Sequence, residues 1–167
     1  MAGAAADWPV DNRRAGLERR HFVGMSFLNL PKDWSELPLS DPTTAADVVD
    51  LCLNDGDRRL GLLKVIFCDQ QDRFHGCVDI ELRDRHGQLH LTDCRTALRP
   101  VVAALDASPG IGVVLALGRP GPEVWPPIDN EWAEAATAVC DEANIRLLAL
   151  YVATADHIRR VEATVNA

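Results

Sequence analysis

The chain has 167 residues, of which 47% are hydrophobic, 25% charged and 5% aromatic, a balance that suits one compact domain with its own core and a short terminal extension. With 25 Asp and Glu against 17 Lys and Arg, the formal charge is −8, which argues against gripping nucleic-acid backbone or docking on a membrane through a polybasic patch. The five cysteines, Cys52, Cys68, Cys77, Cys94 and Cys140, are odd in number and form no C-x-x-C pair, so they read as reduced thiols of a cytoplasmic protein.

Residues 1–20, MAGAAADWPVDNRRAGLERR, interrupt a short apolar stretch at Asp7, Pro9 and Asp11. They read as a disordered leader rather than a signal segment, with Trp8 the one residue able to dock. No stretch of the chain reaches the roughly 18 consecutive apolar residues of a membrane span. Residues 21–167 are then expected to form a single α/β domain. HFVGMSFLNL (21–30) has the apolar content of a strand, and PKDWSELPLSDP (31–42), with three prolines, that of a loop. Asp41-Pro42 supplies an N-cap and a first-turn proline for a helix over 42–53, with Ala45, Val48, Val49 and Cys52 at helical spacing. NDGDRR reads as the turn that ends it, and GLLKVIFCD (61–69) as a buried central strand.

In the next segment Val78, Ile80 and Leu82 alternate with Cys77, Asp79, Glu81 and Arg83, the pattern of a strand with one buried and one polar face. A turn over 84–87 leads to a short return strand at Leu89 and Leu91. Asp93 then caps a helix carrying Leu98, Val101, Val102 and Leu105, in which Pro100 requires either a late start or a kink. IGVVLAL (111–117) reads as a second buried strand, followed by the proline-rich loop GRPGPEVWPPI. A helix is expected from Asp129 to about Ala143, then a third apolar strand over RLLALYVA (146–153), and a closing helix with Ile158, Val161 and Val165. Interleaved helices and strands without a repeat predict an α/β (α+β) fold, a single mixed sheet flanked by helices.

Candidate chemistry is sparse. His75, Cys77, His86, His90 and Cys94 fall within twenty residues, and a hairpin would bring some of them together as metal ligands. His86 and His90 have the H-x-x-x-H spacing of zinc ligands but cross a turn rather than a helical face, so packed thiols and surface histidines are the alternative. Cys94, after Asp93 and beside Arg95, is the one thiol placed for a depressed pKa. No nucleophile elbow, phosphate-binding loop or dinucleotide fingerprint is present. The loop 118–128 holds Arg119, two glycines, four prolines and an exposed-looking Trp125 between a buried strand and the next helix. Arg119, Trp125 and Asp129 are therefore the candidate binding residues, with a guanidinium and a helix start suited to a carboxylate or phosphate. The alternative is a proline-stiffened connection in which Trp125 packs on the sheet and Asp129 is a plain N-cap.

Four phrases, KVIFCDQQDRF, HLTDCRTALRPVVAAL, IGVVLALGRPG and PPIDNEWAEAATAVCDEANIRLLALYVAT, resemble in order and character the JAB (JAMM) metalloprotease family, most closely its RadC-like branch, over residues 60–155. The resemblance implies the cytidine-deaminase-like α/β architecture of that family. It also implies a zinc site of two histidines one residue apart plus an aspartate, with a glutamate activating water. At the histidine positions stand Leu117 and Arg119, neither of which coordinates Zn²⁺. Asp129 matches the aspartate, and Glu81 stands for the glutamate or for a solvated surface residue.

The expected function is that of a catalytically inactive, JAB/RadC-like binding or regulatory module without a cofactor, engaging a protein partner or self-associating. The alternatives are a hydrolase with a rearranged metal site, using Asp129, Glu81 and hairpin histidines, and an anionic-ligand binder using the 118–128 loop. The Ala- and Arg-rich composition, with lysine only at Lys32 and Lys64, suggests a bacterial source.

Overall fold

A computed structural model describes residues 27–105 and 108–163. The expected leader over 1–20, Trp8 and Val165 lie outside the described residues. Helix α1, Pro42–Cys52, begins as its sequence dictates: the Asp41 carboxylate accepts hydrogen bonds from the Thr44 N–H at 3.0 Å and the Thr44 hydroxyl at 2.7 Å, and Pro42 occupies the first turn. These bonds hold the Asp41 carboxyl below its ordinary pKa, the Thr44 side chain contributing most. The segment expected to be only a turn is a second helix, α2, Asp55–Leu60. Asn54 and Asp57 form a reciprocal capping box, each side chain bonding the other's backbone N–H, so two orphan donors are satisfied and six residues suffice for a helix.

Strands β1, Leu62–Cys68, and β3, Gly112–Gly118, are the centre of a five-stranded sheet. Around them lie β2, Phe74–Glu81, β4, Arg146–Ala153, and β5, Ile158–Val161, in the order β2-β1-β3-β4-β5. Only β3 and β4 are parallel; the other neighbours are antiparallel. Alternation along the central strands sends Leu63, Val65, Val113, Leu115 and Leu117 into one core and Leu62, Ile66, Val114 and Ala116 into another. Both faces are covered, which is why these strands read as continuous apolar runs. The first core is closed by α3, Cys94–Leu105, and α4, Pro126–Glu142, and the second by α1.

Trp132 of α4 is fully buried in the first core and donates its indole N–H to the Leu91 carbonyl at 2.7 Å. Burying an aromatic ring with its polar end satisfied is worth about 3–5 kcal/mol against alanine. α4 closes at Asn144, in the left-handed region at φ 55, while the Ile145 N–H bonds back to the Cys140 carbonyl at 2.8 Å. Among the described residues no helix is long and apolar enough to cross a membrane.

Several expectations need correction. Residues 27–29 of the expected first strand are a helical turn, and 21–26 lie outside the described residues. The loop after it carries a 3-10 turn at Trp34–Glu36. Val78 is exposed, because β2 is an edge strand and nothing covers that position; Ile80 packs on the first core, and Cys77, expected on the polar face, packs on the second. Leu89 makes only an isolated bridge to Arg83. α3 runs continuously from Cys94 with Pro100 inside it, on the solvent face, where a lost backbone bond is met by water. α4 starts at Pro126 with Trp125 as its N-cap, so Asp129 lies in the first turn. The expected closing helix is strand β5: Ile158 to Val161 pairs with β4, and a free sheet edge outcompetes a short isolated helix.

Candidate functional site at the carboxyl ends of the central strands

β3 and β4 run parallel and end together, so the loop after β3 and the turn after β4 meet. Crossing between them, the Arg119 N–H bonds the Ala153 carbonyl at 3.1 Å, extending the ladder by one residue. This places the Arg119 side chain in the interior, with no measurable exposure.

All five guanidinium N–H groups of Arg119 are used. Nε and Nη2 make a two-pronged ion pair with the two Asp129 oxygens, each at 2.9 Å. Nη1 donates to the carbonyls of Pro120 and Pro122 at 3.2 and 2.6 Å, and Nη2 also reaches the Glu123 carbonyl at 3.4 Å. One buried side chain thus gathers the loop's carbonyls around itself. Gly121, at φ +98, makes the tight turn this requires, and a Cβ there would meet the Trp125 ring at 3.3 Å. The Arg119 guanidinium carbon lies 5.7 Å from the Trp125 ring centroid, within cation–π range.

Asp129 is equally buried and accepts four hydrogen bonds. Besides the two from Arg119, its Oδ2 takes the Trp125 N–H at 3.0 Å and Arg159 Nη2 at 2.6 Å. The first-turn aspartate therefore reaches back to its own helix's N-cap and answers the positive end of α4. Pro126 and Pro127 contribute no N–H, so this helix start has few donors left for a ligand. Four donors fill the carboxylate's acceptor sites.

Arg159 comes from β5 and is about one-third exposed. Its buried Nε has no hydrogen-bond partner among the described residues, while Nη2 is committed to Asp129. Two guanidiniums thus share one carboxylate, leaving one positive charge in excess at a partly open position. The neighbouring carboxylate, Glu123, pairs instead with His157 across the rim at 3.5 Å. Next to this charge the loop exposes Val124 and Trp125, at 51% and 37% of their surface.

The three sequence candidates Arg119, Trp125 and Asp129 are therefore brought together, with Arg119 and Asp129 inside the protein and Trp125 at its surface. Leu117, at the other position where the resembled family has histidine, points into the first core. Glu81 stands exposed at the end of β2. His75, His86 and His90 are exposed, Cys77 is half-buried and Cys94 buried. Among the described residues no three His, Cys, Asp or Glu side chains converge as a metal site needs. His90 instead pairs with Asp84 at 2.9 Å, and that bond, with backbone N–H groups of Gln88 and His86, lowers the Asp84 pKa. Cys94 does not have the depressed pKa expected of it: burial, with the Glu131 carboxylate beside it, pushes the thiol up to about 11.

Sequence reasoning missed Arg159. Read as a helix, HIRRVE shows no alternation; as strand β5, Arg159 and Val161 fall on the face of the first core and Ile158 and Arg160 on that of the second. The chain matches no protein-family model, and neither a curated protein nor a solved structure matches it.

Proposed function

We propose that this chain is a non-catalytic binding module, JAB/RadC-like in descent, that docks a protein partner at the 119–125 loop. Its binding determinants are Arg159, which takes a carboxylate of the partner, and Val124 and Trp125, which take an adjoining apolar side chain. The observation that carries this reading is the second guanidinium on Asp129: a purely structural ion pair needs one arginine, and Arg159 adds an unspent charge on a side chain that is about one-third exposed. Arg119 then serves the site by holding the loop rigid, so that little conformational entropy is lost when the partner binds. In the resembled family the position of Arg119 holds a metal-binding histidine; here its cation meets the aspartate that would have met zinc. A guanidinium that permanently neutralises that carboxylate supports a binding rather than a hydrolytic role.

The test is a selection of short random peptides displayed on phage against the immobilised full chain. Enrichment of Asp or Glu beside a bulky apolar residue, lost in Arg159→Met and in Trp125→Ser but kept in Arg99→Ala on the exposed side of α3, is the expected result. Absence of an acidic consensus, or a consensus indifferent to Arg159→Met, overturns the reading.

A further inference from the structure

At the opposite edge of the sheet a second constellation stands apart from the binding loop. In the antiparallel register of β1 and β2, Lys64 lies across from Asp79 and Ile66 from Cys77, so Lys64, Cys77 and Asp79 share the face that α1 covers. Cys52 is the last residue of α1 and packs against the same core as Cys77. The two thiols are close enough to act on one another, each being the leading influence on the other's pKa. Lys64 is nearly buried and bonds Asp79 at 2.5 Å. Burial works against the charge of its ammonium, but the hydrogen bond and charge of Asp79 outweigh it and raise its pKa, so Lys64 stays cationic beside the sulfurs.

We propose that Cys52 and Cys77 are a redox-active dithiol that closes to a disulfide by exchange with a low-molecular-weight disulfide. Cys77 is the attacking thiol: it sits half-buried on the edge strand, reachable from outside the sheet, with the Cys52 thiol and the Lys64 charge stabilising its thiolate. These influences, Cys52 foremost, bring its pKa down to about 6. Cys52 is held protonated by Cys77 and by burial, which suits the resolving thiol.

In the first step the Cys77 thiolate attacks one sulfur of the external disulfide, forming a mixed disulfide and expelling one thiolate. Cys52 then loses its proton to solvent or to the departing thiolate and attacks the Cys77 sulfur, expelling the second. Two protein thiols become one disulfide, and the external disulfide takes up both electrons and both protons as two thiols. Closure ties the end of α1 to the edge strand. Cys68 and Cys140 are the contrast within the same chain: burial pushes their thiols up to about 12 and about 11, and at Cys68 burial and the Asp72 carboxylate outweigh the nearby Arg146 charge.

The experiment exposes the reduced full chain to oxidised glutathione at neutral pH, quenches with acid, alkylates, and maps peptides by mass. The expected product is a Cys52–Cys77 cross-linked peptide, with Cys68, Cys94 and Cys140 alkylated. C52S is expected to stop at a glutathione adduct on Cys77, and C77S to react at Cys52 at least about tenfold more slowly than Cys77 reacts in the wild type. Lys64→Met, which keeps the aliphatic stem, should slow adduct formation on Cys77 about tenfold. Wild-type protein whose Cys52 and Cys77 both stay alkylatable, a bridge between other cysteines, or equal rates in C52S and C77S overturns the proposal. The wild-type result decides by itself if a variant fails to fold.

Discussion

Two buried arginine–aspartate pairs flank the same end of the sheet, and they differ in what they present at the surface. On the α1 side, Arg58 is 1% exposed and donates Nη2 to Asp50 at 2.7 Å, Nε to the Leu53 carbonyl at 3.0 Å and Nη1 to the Thr154 carbonyl at 3.3 Å. Asp50 also takes the Phe27 N–H at 3.0 Å. Arg58 thereby ties α1, α2 and the turn after β4 together. On the other side Arg119 and Asp129 do the same for the β3–α4 loop, but Asp129 carries Arg159 as well. Both pairs use an arginine to collect loop carbonyls, which a planar fork of five donors does better than lysine. In the first pair Arg58 finds its counter-charge within the interior; the second extends a charge to the surface. Burying an ion pair is weak evidence for function, because desolvation offsets much of the attraction. The partly exposed Arg159 is the feature on which the proposed contact site rests.

Removing the shared carboxylate tests this contrast most severely. Asp129→Ala leaves Arg119 buried without a counter-charge and Arg159 beside it, and is expected to lower the urea unfolding free energy by about 5 kcal/mol, the upper end for a broken buried pair. Asp50→Ala, which strands Arg58 in the interior, should fall nearer about 3 kcal/mol. Equal losses, or the reverse order, would mean that the second arginine does not distinguish the sites.

Smaller changes sharpen the comparison. Gly121→Ala forces an L-residue into the left-handed turn and presses on the Trp125 ring, with an expected cost of about 1–2 kcal/mol in the same unfolding assay. A cost near zero would show that the loop is not held tightly by Arg119. The smallest stability effect belongs to Arg159→Met, within about 1 kcal/mol of wild type, since Asp129 keeps its two-pronged partner and an orphan donor disappears. A larger loss would assign Arg159 to the fold and remove the reason for calling it a recognition residue.

Much of this organisation was legible in the residues. The apolar runs at 62–68, 112–118 and 146–153 are strands because a sheet covered on both faces tolerates no polar alternation, and the Asp41-Pro42 helix start is carried by local hydrogen bonds. Arg119, Trp125 and Asp129 were legible as a group from the composition of their loop. What they do to one another was not: a guanidinium between prolines looks the same in sequence whether it faces water or a buried carboxylate. The edge position of β2, which exposes Val78, and the pairing that makes 158–161 a strand depend on neighbours far away in the chain.

The sequence by itself determined a mixed α/β chain, its central strands and its principal helix faces. Those properties follow from local spacing, capping and side-chain chemistry. Tertiary structure alone decided that Arg159 joins Asp129, that Arg58 finds Asp50, and that Cys52 meets Cys77 beside Lys64. Each of these contacts joins different elements of the fold, α1 and α2 separated only by their cap residues Leu53 and Asn54 and the others far apart in the chain. Their partners are set by strand order, register and helix docking, which depend on packing the whole core at once.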